Sequence, residues 1–224
     1  MAWKPPEGMD EYLKPTEFCD SDNEGIKKKA RDLVKDAATQ KEAALSIFYF
    51  VRDSIRFALD FTDLKASHAL KTRLGLCIQK PNLQIALLRA ARIPARSHRV
   101  GVKKESLQGI VPDLLYEAFP DAFNHHSWCE CHLSGKWISC EALFDKELFE
   151  GMREKGGTVA NQIPTIDWDG ENDLIVVKPW VVKDFGTFDS LDDFWRETAK
   201  NLGSRLPSAV IFSSNQYTDS LRKR

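Results

Sequence analysis

Five cysteines are the residues of this sequence with the most direct access to covalent chemistry. They are Cys19, Cys77, Cys129, Cys131 and Cys140. An odd and sparse set of cysteines in a chain of 224 residues argues against a disulfide framework. The sequence therefore leaves three uses for these thiols: core packing, metal binding or nucleophilic reaction.

Cys77 stands where a thiol could react. We predict a buried helix from about Cys77 to Arg92, because its sequence (CIQKPNLQIALLRAAR) is apolar on nearly every side. A helix N-terminus favours the thiolate, and its free N–H groups could stabilise an oxyanion. Gly75 would allow close approach of a substrate carbonyl, and Lys80 would add positive charge beside the thiolate. The alternative use of Cys77 is as a small buried hydrophobic residue.

A predicted hairpin offers a base and a carboxylate for such a nucleophile. Ser134-Gly135 reads as a two-residue turn, so that Leu133 pairs with Lys136. Glu141 then becomes a diagonal neighbour of His126, within reach of a carboxylate–imidazole hydrogen bond. A three-residue turn would instead move Glu141 to the opposite face. The same two-residue register places one group of side chains on one face of the hairpin: His126, Trp128, Glu130, His132, Trp137 and Glu141.

Alternatives to this arrangement remain at three points. Asp145, just past the second strand, could approach His126 through a bend. Four other histidines compete with His126, and spacing alone does not choose among them: His68, His98, His125 and His132. Cys129, Cys131 and Cys140, with His132, could suggest zinc, but their spacing fits the apolar face of a strand better.

The elements that must position these residues begin with helices. Helical spacing marks residues 26–37, and a Thr39-x-x-Glu42 capping box opens a second helix. A third helix is expected from about Leu64 to Arg73, with Gly75 as its left-handed C-terminal cap. Strands are expected at Ala95–Lys103, Asn124–Leu133 and Lys136–Cys140. Helices followed by an antiparallel sheet predict an α+β fold, with the central buried helix that carries Cys77 packed on the sheet.

The last third of the chain has weaker patterns. We expect helices at Glu147–Lys155 and at Ser190–Leu202, with Ser190 as N-cap, and a strand at Asp173–Lys178. The expected organisation is an N-terminal arm over residues 1–22 and a single domain over residues 23–224. That domain has a core of about 40–145 and a C-terminal extension of 146–224.

Composition sets aside several classes of protein. Hydrophobic residues make up 42% and charged residues 29%, as in soluble globular proteins. The net charge of −1 supplies no field that would attract nucleic acid or an anionic membrane, so neither is an expected partner. The sequence shows no secretory signal and no apolar run long enough to span a bilayer, which favours a cytoplasmic location.

Three segments resemble the transglutaminase-like superfamily of papain-type thiol enzymes, and the resemblance is to its small members of bacterial or archaeal type. They are ASHALKTRLGLC (66–77), LLRAARIPARSHRVGV (87–102) and HHSWCECHLSGKWISCE (125–141). The first is similar to the segment that leads to that family's nucleophile. The second is similar to its helix end and next strand. The third is similar to its His-x-Trp strand and hairpin. The likeness covers residues 40–145.

The resemblance implies a thiol enzyme with Cys77 as nucleophile and His126 as base. The family's third catalytic residue is usually Asp, and Glu141 stands at that position here. The implied chemistry is amide or peptide hydrolysis, or transamidation, on a peptide or on a small amide or ester, without cofactor or metal. No EF-hand spacing predicts calcium. The alternative is a catalytically weak or inactive member that serves as a binding or scaffold domain.

Overall fold

The helices of the protein surround and extend a curled antiparallel sheet. A computed structural model describes the backbone of residues 3–203 and 207–222, and the side chains of residues 3–200 and 207–222. Within these ranges the α-helices are α1 (Glu24–Val34), α2 (Gln40–Ser54), α3 (Ala66–Thr72), α4 (Gln79–Ala90), α5 (Asp113–Ala118), α6 (Lys146–Glu154), α7 (Thr158–Gln162), α8 (Asp192–Gly203) and α9 (Ser208–Arg222). Short 3-10 helices lie at Asp10–Leu13, Lys104–Leu107 and Lys178–Trp180.

The strands form two sheets within the described residues. They are β1 (Arg56–Phe57), β2 (Leu74–Gly75), β3 (Ala95–Lys103), β4 (Ala122–Leu133), β5 (Lys136–Ser139) and β6 (Val181–Phe188). β1 and β2 pair in parallel, and the larger sheet has the antiparallel order β5-β4-β3-β6. The predicted α+β class and the strand Ala95–Lys103 are therefore confirmed.

The first two helices begin where the sequence places helix caps. Asn23 accepts the amides of Gly25 and Ile26 at the start of α1. Thr39 accepts the amide of Glu42 at 3.1 Å, which confirms the predicted N-cap of α2. The reciprocal bond is shifted by one residue, because the Glu42 carboxylate accepts the amide of Ala38. Both helices turn their apolar faces into the core.

α4 is the central helix of the fold. Eleven of its residues, Gln79 to Arg89, are buried. It packs against α1, α2 and α3 on one side and against β3 and β4 on the other. The prediction of a buried central helix is confirmed, but its bounds are wrong. The helix begins at Gln79, so Cys77 lies in the turn before it, and Arg92 after it adopts a left-handed φ of 65°.

Two further predictions near Cys77 need correction. α3 is shorter than the predicted Leu64–Arg73, and the left-handed residue that caps it is Arg73, with φ 63°. Gly75 is not a cap but belongs to β2. A Cβ at Gly75 would lie 3.1 Å from Cβ of Gln79 and 3.2 Å from Cγ of Lys80, so glycine allows the start of α4 to pack closely against β2.

The last third of the chain departs furthest from the predictions. Asp173–Lys178 is not a strand: among the described residues it contributes one isolated parallel bridge, Leu174 with Cys140. The strand that joins the sheet in this region is β6, which the sequence pattern did not predict. α6 and α8 confirm the two predicted helices within one or two residues, and Ser190 Oγ accepts the amide of Asp192 at 3.1 Å.

α9 ties the end of the described chain back to its first half. Arg222 donates from Nε and Nη2 to the Asp145 carboxylate, at 2.9 and 2.6 Å, and from Nη2 to the carbonyl of Phe57. Asn215 binds both the amide and the carbonyl of Leu59. No helix in the described part of the chain has the length and apolarity needed to cross a membrane.

Candidate active site

The Cys77 thiol lies in the turn between β2 and α4 and reaches the edge of β4. Its Sγ is 3.6 Å from the carbonyl oxygen of His125, and its own carbonyl accepts the Ser127 hydroxyl at 3.1 Å. Cys77 is half-buried, whereas the other four cysteines are buried. Of the five thiols it is therefore the one that a reagent from solvent can reach.

His126 and Glu141 form the hydrogen-bonded pair that the hairpin register predicts. β4 and β5 pair Leu133 with Lys136, which confirms the two-residue turn. His126 Nε2 lies 2.6 Å from Glu141 Oε1, and both side chains are buried. β5 ends at Ser139, so Glu141 lies beyond the paired part of the hairpin. Its backbone is held instead by a hydrogen bond from its amide to the carbonyl of Leu174.

The second carboxylate oxygen of Glu141 is held by the C-terminal extension. Glu141 Oε2 accepts the amide of Val176 at 2.5 Å and that of Val177 at 3.1 Å. With Oε1 on His126, both oxygens have partners, which fixes the carboxylate in one orientation. Sequence reasoning missed these two donors because they are backbone amides, which leave no side-chain pattern to recognise.

His126 is held in its protonated form by its neighbours. Burial alone would lower the pKa of His126. The negative charge of Glu141, its hydrogen bond to the ring and the neighbouring Cys77 side chain outweigh burial and raise this pKa to about 10. Because Nε2 faces Glu141, Nδ1 is the ring nitrogen left for the thiol. An imidazolium beside Cys77 stabilises the thiolate form of the cysteine.

Lys80 does not lie beside the thiol, contrary to the prediction. Its ammonium group is fully buried and donates to the carbonyls of Arg52 and Ile55, at 3.1 and 2.6 Å, where α2 ends. Its side chain points away from Cys77 because these carbonyls at the C-terminus of α2 attract positive charge. Burial lowers the pKa of Lys80 to about 7.

Asp145, the alternative third residue, lies at another place. Its carboxylate caps α6 through the amide of Leu148 and also binds Arg222 and the amide of Phe57. All of its contacts are structural. The structure thus brings Glu141, and not Asp145, to His126.

The competing histidines are also engaged elsewhere. His98 lies between the carboxylates of Glu130 and Asp184, and His68 binds Asp60. The other two rings contact aromatic side chains: His132 meets Trp137 edge-on, and His125 stacks on Phe194. Of these four, His125 is the one that lines the cavity beside Cys77.

The remaining cysteines behave as core residues, as predicted for three of them. Cys129, Cys131 and Cys140 are each fully buried, and the Sγ atoms of Cys131 and Cys140 are 3.9 Å apart. Among the described side chains, no group of three or more histidine, cysteine, aspartate or glutamate residues is arranged to hold a metal ion. Cys19, to which the sequence assigned no role, is buried and contacts Asn82.

Comparisons to known proteins bear on the family and the fold. A model of the transglutaminase-like superfamily matches residues 27–142. A candidate cysteine protease from Cytophaga hutchinsonii aligns with a TM-score of 0.51 and 20% identity, over 84% of this chain and 49% of that one. A candidate protease from Parabacteroides distasonis aligns with a TM-score of 0.38 and 16% identity, over 58% of this chain and 24% of that one. No curated protein matches the sequence.

The matched segment is more than half of the chain and contains Cys77, His126 and Glu141. The chain therefore belongs to the transglutaminase-like superfamily. The Cytophaga structure shares its fold, and the chain spans about half the length of that protein. Residues 143–224, which include α9 and the amides on Glu141, lie outside the family match.

Proposed function

We propose that this protein is a thiol-dependent acyl-transfer enzyme in which Cys77 is the nucleophile. The observation that carries the proposal is the buried, hydrogen-bonded His126–Glu141 pair, which lines the same cavity as the half-buried Cys77 thiol. A nucleophile, a base and a group that orients the base are the minimum set for covalent acyl transfer. These are the roles that we assign to Cys77, His126 and Glu141.

The reaction begins from an ion pair in which His126, as the imidazolium, already holds the proton of the Cys77 thiol. The thiolate adds to the carbonyl carbon of an amide or ester, and backbone N–H groups at the start of α4 stabilise the oxyanion. The carbon–nitrogen or carbon–oxygen bond then breaks. His126 gives its proton to the leaving group, and the acyl group remains on Sγ as a thioester.

The second half of the reaction regenerates the thiol. His126, now neutral, takes a proton from water or from an acceptor amine as that molecule attacks the thioester. The carbon–sulfur bond breaks, and Cys77 leaves as the thiolate paired with the imidazolium. Water as acceptor gives hydrolysis, and an amine gives transamidation. Glu141 keeps Nε2 protonated in both halves and stabilises the positive ring.

Acylation of Cys77 is the direct test. Reaction with p-nitrophenyl acetate should release a burst of nitrophenolate and add one acetyl group to the protein, which peptide mass spectrometry locates on Cys77. Cys77→Ala should lose the burst, and Cys19→Ala, a change at a buried thiol, should keep it. An undiminished burst from Cys77→Ala would rule out the assignment.

The two acceptors are separated by a competition experiment. If the acylated protein turns over, added putrescine either diverts the acyl group into an amide or leaves free acetate as the product. A protein that shows neither a burst nor turnover with ester and amide probes would instead be an inactive member of its family. It would then serve as a binding domain.

A further inference from the structure

A partly enclosed apolar cavity begins at the candidate nucleophile and extends under α9. Its volume is about 260 Å³, and Cys77 and His126 both line it. Five of its other lining residues are phenylalanines, contributed by β1, β4 and the loops around them: Phe57, Phe61, Phe119, Phe123 and Phe144. The cavity is thus a mainly apolar chamber with five phenylalanines among its lining residues and the candidate nucleophile in its wall.

One hydroxyl group in this wall has no partner. Ser214 on α9 lines the cavity and is 1% exposed, and its Oγ makes no hydrogen bond within the described residues. A buried hydroxyl without a partner is destabilising, because it has lost its hydrogen bonds to water. At the wall of a cavity such a hydroxyl is available to a ligand.

The neighbouring polar side chains are already engaged. Asn215 binds the backbone of Leu59, and Thr218 donates to carbonyls of its own helix. Ser106 donates to the carbonyl of Lys103 at 2.8 Å. Apart from the residues around the thiol, Ser214 is therefore the polar lining side chain whose donor and acceptor are both unused within the described residues.

We propose that this cavity is the acyl-side specificity pocket and that it takes a hydroxyphenyl group, as in a tyrosyl residue, with Ser214 as the hydrogen-bond partner of the phenol. Aromatic rings pack well against aromatic walls in edge-on or tilted geometry. The size agrees, because an apolar cavity of about 150 Å³ holds benzene, and pockets for drug-sized ligands begin near about 300 Å³. This assignment rests on the proposed function.

The test compares four chloromethyl ketones that differ only in the side chain next to the carbonyl. We would measure the rate at which acetyl-alanyl, -leucyl, -phenylalanyl and -tyrosyl chloromethyl ketones alkylate Cys77. In each reaction a carbon–sulfur bond forms and chloride leaves. The tyrosyl reagent should react about tenfold faster than the phenylalanyl one, as one hydrogen bond predicts, and the alanyl reagent should be slowest.

Ser214→Ala is the variant that isolates the hydroxyl. It should remove the difference between the tyrosyl and phenylalanyl reagents, leave the rate with iodoacetamide unchanged and not lower the melting temperature, since it deletes an unpaired buried group. Ser213→Ala is the matched control: that residue is exposed and its hydroxyl binds the Val210 carbonyl. Equal rates for all four reagents in the wild-type protein would overturn the pocket.

A binding measurement separates the pocket from the chemistry. In Cys77→Ala, p-cresol should bind about tenfold more tightly than toluene by calorimetry, and adding Ser214→Ala should remove the difference. If iodoacetamide fails to label Cys77 but p-cresol still binds in this way, the proposed function is wrong and the pocket stands. If labelling is fast and the two ligands bind equally, the pocket assignment is wrong.

Discussion

Glu141 stands where the family resemblance of the sequence leads us to expect aspartate, and its surroundings explain how glutamate fits. Oε1 meets His126 Nε2 at 2.6 Å, while Oε2 accepts the amides of Val176 and Val177. The longer side chain spans the distance between the ring and these amides. Aspartate, shorter by one methylene, would lose one set of contacts or the other.

Glu141→Asp should therefore lower acylation by roughly tenfold or more, even though the family resemblance leads us to expect aspartate at this position. The expected loss reflects one displaced charge-assisted hydrogen bond, worth about 1.5–3 kcal/mol. The measurement is the rate constant of the nitrophenolate burst, at equal folded fraction by circular dichroism. A variant as fast as the wild type would show that the amides of Val176 and Val177 do not position the acid.

Glu141→Gln should move the alkaline limb of the pH–rate profile. His126 has its pKa raised to about 10 mainly by Glu141, so wild-type acylation should fall as pH rises through 10 and the imidazolium loses its proton. Without the carboxylate the limb should shift to lower pH. Asp184→Asn is a matched control, since that carboxylate binds His98 instead. If the alkaline limb lay at the same pH in all three proteins, the group that titrates there would not be His126.

Iodoacetamide should label Cys77 first among the five cysteines of the native protein. The reason is access together with the imidazolium beside it, because the other four thiols are buried. Peptide mapping after short exposure gives the order, and labelling in denaturant, where all five should react alike, gives the reference. Random labelling of the native protein would contradict the site.

At the residue scale the sequence predicted much of this site. Strand alternation and a two-residue turn were enough to bring His126 and Glu141 together, because period and register are local properties of a hairpin. The predicted position of the Lys80 ammonium was wrong, because that position depends on the end of α2, an element distant in sequence. The partner of Glu141 Oε2 is likewise set by tertiary structure alone.

At the scale of elements, α9 is held by a buried ion pair that the sequence does not reveal. Asp145 has its pKa lowered: burial opposes this, but the hydrogen bonds and charge of Arg222 outweigh it. The pKa of Asp145 is lower in the folded protein than in the unfolded chain. The stability that this pair adds is therefore fully present at pH values above the unfolded pKa. It is lost as pH falls through the folded pKa.

Arg222→Met should destabilise the protein by about 3–5 kcal/mol, because it leaves the Asp145 carboxylate buried without its partner. Arg56→Met is the matched control: it removes an exposed pair with Asp219, worth about 0–1 kcal/mol. Urea unfolding at neutral pH measures both. Equal effects of the two changes would mean that α9 is not anchored through Asp145.

The predictions for elements succeeded where periodicity was strong and failed where contacts are nonlocal. α2, α4 and β3 have clear patterns and were found. DLIVVK looked like a strand because it is apolar and rich in β-branched residues. Its backbone instead donates hydrogen bonds to the Glu141 carboxylate and forms one isolated β-bridge. β6 was missed because its burial pattern does not alternate.

For the whole molecule, two buried cations have opposite effects on stability over nearly the same range of pH. His126 has its folded pKa raised from 6.5 to about 10, so its contribution is complete below 6.5 and is lost as pH rises through 10. Lys80 has its folded pKa lowered from 10.5 to about 7, so the unfolded chain binds the extra proton and stability rises between 7 and 10.5. Between pH 7 and 10 these two slopes cancel.

Replacing either residue should reveal the pH dependence of stability that the other one causes. The free energy of unfolding of Lys80→Met should fall between pH 7 and 9, and that of His126→Gln should rise, each by about 1.4 kcal/mol per pH unit. Urea unfolding at several pH values gives both slopes, with the wild type as the flat reference. Parallel curves for the three proteins would contradict the opposed titrations.

The route by which the chain closes over its own thiol has a consequence for synthesis. A ribosome makes Cys77 and His126 long before it makes Val176 and Val177, which hold Glu141, and Ser214, which completes the cavity wall. A nascent chain that has emerged only as far as β5 has the candidate nucleophile but neither the fixed acid nor the complete cavity wall. The arrangement described for the folded protein therefore forms late, which delays the proposed reactivity of the thiol until the chain can enclose it.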